Sequence, residues 1–156
     1  MNFIQSVKTC FKKYASFQGR AARSEYWWFQ LFMMVMSFGA MAADGFVLGY
    51  SLEAPFTPLA LIVTLGLTIP SASVTARRLH DIGWSGWVQM PMFLTFTAYL
   101  DVLVLDFSVS TLGVFLIFGG VVYWLFLCLI LIKDSQPLTN KYGPNPKAEN
   151  LPEIFS

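Results

Sequence analysis

The chain has 156 residues; 56% belong to the set A, V, I, L, M, F, W, Y and C, 17% are aromatic and only 12% are charged, ten Lys+Arg standing against nine Asp+Glu. A soluble domain of this length keeps much of its surface in water and is about 25% charged, so the composition excludes a water-soluble globule. Its hydrophobicity excludes disorder, and a net charge of +1 gives no electrostatic case for a nucleic-acid partner.

Residues 1–19 read as an amphipathic helix. Phe3, Ile4, Val7, Cys10, Phe11, Tyr14 and Phe17 recur at helical spacing, while Gln5, Ser6, Lys8, Thr9, Lys12 and Lys13 fill the other face. Such a helix lies in the membrane interface, and Gly19 is a natural stop for it. No cleavable signal peptide is expected, because the first 25 residues hold no continuous apolar run.

Four segments then approach the roughly 20 apolar residues that a lipid-spanning helix needs. They cover about residues 26–43, 56–76, 87–105 and 111–132. Asp101 interrupts the third, and a re-entrant third segment is the alternative to four spans. Pro70 lies inside the second and predicts a kink, with Ser71, Ser73 and Thr75 at hand to satisfy the carbonyl that it frees. Residues 133–156 form a turn-rich tail that is short enough to fold back on the motifs below.

With four spans every basic residue falls on one side. Lys8, Lys12, Lys13, Arg20 and Arg23 precede the first span, Arg77 and Arg78 separate the second from the third, and Lys133, Lys141 and Lys147 follow the fourth. The two opposite loops carry Asp44, Glu53 and Asp106 without Lys or Arg. Basic flanks stay cytoplasmic, so both termini are expected inside. The fold class is thus an all-α membrane protein, one domain of four transmembrane helices preceded by an interfacial helix. Tyr26, Trp27, Trp28, Trp84 and Trp87 sit where the headgroup level would be.

The densest polar chemistry lies in two segments, residues 17–28 (FQGRAARSEYWW) and 77–87 (RRLHDIGWSGW). A helix starting near Arg20 would set Arg20 and Arg23 on one face. One continuing past Ala76 would pair Arg77 with Asp81 at i,i+4 and set His80 beside Arg77, with Gly83 and Gly86 turning into the third span. Arg20, Arg23, Glu25, Arg77, Arg78, His80 and Asp81 are therefore expected to converge. The plain reading is internal ion pairing that fastens the spans. The sharper one is an anion or lipid-headgroup site, since the arginine fork suits phosphate. General-base chemistry at His80/Asp81 is a third, with no nucleophile singled out and no catalytic residue assigned. One His with Asp81 and Glu25 is a poor metal set, and neither a metal nor a cofactor is expected. Cys10 and Cys128 imply no disulfide framework. Asp101 is either an intramembrane carboxylate, hence a functional candidate, or an interfacial neighbour of Asp106.

Phe17 to Trp27, Arg77 to Trp87 and Asn140 to Pro146 together resemble a family of small bacterial inner-membrane proteins catalogued as domain of unknown function 805. Its pattern is roughly F-x-G-R-x-x-R-x-E-[YF]-W, then R-R-L-H-D-x-x-x-S-G-W, then N-[RK]-[YF]-G-x-x-P, and the order and spacing span nearly the whole chain. The resemblance implies a four-span inner-membrane protein and no particular reaction. Trp84 stands where relatives often carry a basic residue, Asn145 where they carry Asp, and Gln136 to Thr139 replace a Gly-rich approach. The function expected is a non-catalytic module that binds lipid headgroups or a partner membrane protein, or itself as an oligomer. A small transporter or channel component using Asp101 and a membrane enzyme at His80/Asp81 are the alternatives.

Overall fold

The computed structural model describes residues 1–50, 57–93 and 111–147. All regular structure among them is helical: α1 (Phe3–Lys12), α2 (Arg23–Leu48), α3 (Pro58–Asp81), a 3-10 turn (Gly86–Gln89) that leads into helical residues 90–93, and α4 (Thr111–Ile132). Arg23–Leu48, Pro58–Asp81 and Phe115–Ile132 are long and apolar enough to cross a membrane. The expected third span lies largely outside the described residues, as do Asp101 and Asp106. The chain divides into two compact units, Met1–Gly86 with the tail from Asp134, and Trp87–Lys133.

α1 opens on a capping box. The Asn2 side chain accepts from the Gln5 N–H at 2.9 Å, and Gln5 Oε1 accepts from the Asn2 N–H at 3.2 Å, which satisfies two of the helix's orphan donors. The helix stops at Lys12 rather than running to Gly19. After it a single turn, closed by the Ser16 N–H on the Lys13 carbonyl at 3.1 Å, presents the Lys13 and Ser16 carbonyls to the Ser73 hydroxyl at 3.0 and 2.7 Å. Phe3 meets the edge of Trp28 at 5.8 Å, and Phe11 meets Phe29 at 6.0 Å and Phe32 at 5.8 Å. Ser6, expected on the polar face, is buried. Its hydroxyl bonds back to the Asn2 carbonyl and reaches the Ser24 carbonyl at 3.4 Å, so a small residue lets the chains approach closely.

α2 starts at Arg23 and runs past Ala43 to Leu48, where Gly49 ends it in the left-handed conformation (φ 71°). The extension corrects the loop position expected for Asp44, which lies within α2 and is fully buried. Its carboxylate accepts from the Leu59 and Ala60 N–H groups at 3.1 and 2.9 Å. The start of α3, whose own Thr57 makes no side-chain cap, is thus capped from the neighbouring helix. Away from the contact between the two helices, large apolar side chains stand open, Phe46 at 92% and Ile62 at 67% exposure. Lipid is the solvent that tolerates such a surface.

Pro70, fully buried in α3, supplies no N–H to the carbonyl four residues earlier, that of Gly66. The neighbouring hydroxyls do not take it up, contrary to the sequence reading. Thr75 bonds to the Ser71 carbonyl at 2.7 Å and Ser73 to the segment after α1, whereas the Tyr14 hydroxyl reaches Gly66 at 2.5 Å. α3 continues to Asp81 and closes in a Schellman motif. The Trp84 N–H bonds to the Leu79 carbonyl at 2.9 Å and that of Gly83 to His80 at 3.0 Å, with Gly83 at φ 84°. Gly86 then passes so close to the helix that an added Cβ would lie 2.9 Å from that of Ala76. In the second unit the Tyr123 hydroxyl donates to the Val88 carbonyl.

Candidate functional site: a buried arginine–carboxylate cluster

Glycine and two alanines build the first wall. Gly19 adopts φ 83°, and the extended residues after it bring the Ala21 N–H to the Arg77 carbonyl at 3.0 Å. Ala21 and Ala22 are buried, so no bulk separates this segment from α3. α2 begins only at Arg23, with Ala22 as its cap; Arg20 therefore does not share a helical face with Arg23.

Arg20 is turned inward instead. Its Nε donates to Asp81 Oδ1 at 2.9 Å, and its Nη1 to the carbonyls of Leu138 at 2.8 Å and Gly143 at 3.2 Å. Its Nη2 donates to Gln136 at 2.6 Å and to the Asp81 carbonyl at 3.4 Å. A guanidinium has five N–H groups, and each finds an acceptor on this chain. The other Asp81 oxygen takes Nη1 of Arg78, its i,i+3 neighbour. The expected Arg77–Asp81 pair does not form. The helical turn aims Arg77 at α2, where Nη1 bonds Glu25 Oε1.

Three buried guanidinium groups (Arg20, Arg77, Arg78) thus face two buried carboxylates (Glu25, Asp81). The C-terminal end of α3 offsets the excess, since helix carbonyls carry partial negative charge there and Arg20 touches one of them. Nε and Nη2 of Arg77 are buried without a hydrogen-bond partner. The Cys10 thiol lies 3.9 Å from Glu25 Oε1. Burial, and then the Glu25 charge, push that thiol up to about 12, so it stays protonated.

His80 has partners other than those of Arg77. Its Nδ1 is 3.2 Å from the Gly19 carbonyl, which can only accept, so the proton sits on Nδ1. The ring stacks on Tyr142 at 3.8 Å, 6° from parallel. The tail is shaped for that contact. Asn140 and Gly143 exchange backbone hydrogen bonds at 3.1 and 3.0 Å, and the Asn140 side chain bonds the His80 carbonyl and Gln136 Oε1 at 2.9 and 2.8 Å. The Gln136 N–H closes on the Asp81 carbonyl at 3.1 Å. At the rim, exposed Asp134 meets Arg23 at 2.6 Å and Lys147 at 3.3 Å. Lys147 first, then Arg23, hold its carboxyl below the usual range.

All seven charged or histidine candidates therefore lie in this one unit, in linked groups: Glu25 with Arg77, Asp81 with Arg20 and Arg78, Arg23 with Asp134, and His80 with Gly19 and the tail. Of the interfacial aromatics, Trp27, Trp28, Trp84 and Trp87 are exposed. Tyr26 is buried and stands edge-on to Trp27 at 5.1 Å. Sequence reasoning set Cys10 and Tyr14 on the apolar face but missed their partners, Glu25 and Gly66, and it missed the carbonyls of residues 136–143, to which only the turn-rich tail and its expected fold-back pointed. Among the described residues no group of three or more His, Cys, Asp or Glu could hold a metal ion.

Three apolar helices long enough to span a bilayer, with buried ion pairs at one end of the α2–α3 pair, define an all-helical integral membrane protein. Residues 14–144 match the model of the family described as protein of unknown function DUF805, and the chain belongs to that family. Two relatives come from Escherichia coli strain K12. The inner membrane protein YhaH is 28% identical over 138 residues, which cover 88% of this chain and 93% of the relative. The inner membrane protein YhaI is 33% identical over 110 residues, covering 70% and 89%. No solved structure matches. The protein is an integral inner-membrane protein, and the segments around Arg20, Asp81 and Asn140 interlock about Asp81 and His80.

Proposed function

We propose that this protein is a non-catalytic inner-membrane module of four spans with both termini cytoplasmic, in which the arginine–carboxylate cluster is a clasp. The clasp fastens the segment after α1, the end of α3 and the tail into one platform that meets lipid headgroups or a partner membrane protein. One observation carries this reading: all five N–H groups of Arg20 are taken by acceptors of its own chain. An anion site would keep such donors open, and a general base would keep its imidazole clear, whereas His80 is stacked on Tyr142. The relatives named as inner membrane proteins and the basic residues gathered on one side support the location and direction.

The test is limited trypsin digestion of inside-out membrane vesicles. Lys141 and Lys147 in the docked tail should resist cleavage in the wild type and be cut faster in His80→Ala and Tyr142→Ala. If His80→Ala leaves the tail protected and the protein abundant, the clasp reading fails and the enzyme reading gains. A reporter fused after Ser156 that works only when exported would overturn the topology.

A further inference from the structure

The cations of the N-terminal segment fall into two groups. Arg20 and Arg23 have carboxylate partners, Asp81 and Asp134. Lys8, Lys12 and Lys13 are exposed and enter no ion pair among the described residues. Residues 1–24 contain no Asp or Glu, and Glu25, which follows them, is paired with Arg77. Ile4, Lys8 and Lys12 follow one another at i,i+4 along α1, about 5–6 Å between neighbouring Cβ atoms, and Ile4 is 62% exposed. Phe11 and Phe17 are also exposed on the segment.

The segment is held in place. Ser73 fixes the Lys13 and Ser16 carbonyls, and Tyr14 is fixed to Gly66. The lysines are thus presented from a backbone tied to a membrane-spanning helix, with little ordering left to do on binding.

We propose that Lys8, Lys12 and Lys13 form a docking surface for anionic phospholipid headgroups of the cytoplasmic leaflet. The chemistry favours lipid over an acidic protein. Lysines interleaved with open apolar side chains match the boundary where phosphate gives way to acyl chain. The inference rests on the topology in the proposed function and assigns the lipid class and the residues that read it.

The full chain, purified in mild detergent and offered equal amounts of phosphatidylglycerol and phosphatidylcholine, is examined by native mass spectrometry. Wild type should retain the anionic lipid preferentially. The preference should shrink about fivefold for each lysine replaced by glutamine, vanish in K8Q/K12Q/K13Q and weaken between low and high salt. The variant K133Q/K141Q should keep it. No preference in the wild type, or its persistence in the triple variant, overturns the proposal, as does its loss in K133Q/K141Q alone. The protease protection of the tail is read on the same triple variant and should be unchanged, which separates failure of this surface from failure of the clasp.

Discussion

The Tyr14 hydroxyl donates to the Gly66 carbonyl at 2.5 Å, the carbonyl that Pro70 leaves without its helical partner. A defect inside a spanning helix is thereby repaired from the segment that follows α1. Two elements far apart in sequence become one unit for a simple reason: an unsatisfied carbonyl in an apolar setting is costly. Tyr14→Phe should destabilise the protein by about 0.5–1.5 kcal/mol, the net worth of a hydrogen bond. In a Pro70→Ala background, residue 70 supplies an N–H and the loss should shrink. A double-mutant cycle by unfolding in detergent measures the coupling. Equal losses in both backgrounds would show that the two groups act separately.

Glu25 and Arg77 are a buried pair in which only one guanidinium nitrogen, Nη1, bonds the carboxylate, while Nε and Nη2 lack partners. Removing one charge strands the other in a dry site, so Glu25→Leu should cost about 3–5 kcal/mol. Replacing both, as in E25M/R77M, should recover most of that loss, because two neutral side chains need no solvation. Midpoints of denaturant unfolding decide it. A double variant as unstable as the single one would mean that the pair, and not merely its neutrality, is required.

Cys10 is fully buried, and its thiol is pushed up to about 12, chiefly by burial. The ordinary value is 9.0. A raised value keeps its stabilisation intact below pH 9 and loses it as the pH climbs toward 12, where the unfolded chain ionises first. At pH 8 the thiol should resist iodoacetamide in the folded protein and react after denaturation, as peptide mass spectrometry can read. Wild-type unfolding between pH 9 and 11 should show a loss of stability that Cys10→Ala lacks. Rapid alkylation of Cys10 in the folded state at pH 8 would contradict the burial.

Hydrophobic runs and the distribution of charge determined much of this protein. The length of its apolar segments required a membrane, and α4 spans the very residues, Thr111 to Ile132, that its uninterrupted apolar run marks out. The two arginine-rich motifs and the Asn140–Gly143 turn were legible as sites of polar chemistry, because charge beside a span has few places to go.

Pairing was decided by tertiary structure alone. Spacing favours Arg77 with Asp81, yet the helix turns Arg77 to Glu25 and leaves Asp81 to Arg78 and to Arg20, far back in the chain. Helical periodicity fixes which residues share a face; it does not say which face meets a neighbour. Asp44 capping α3 and Tyr14 serving Gly66 have the same origin. Each answers a backbone group left open by another element. Such a debt appears in sequence only as a Pro or a helix end, and the residue that settles it becomes visible only when the elements pack.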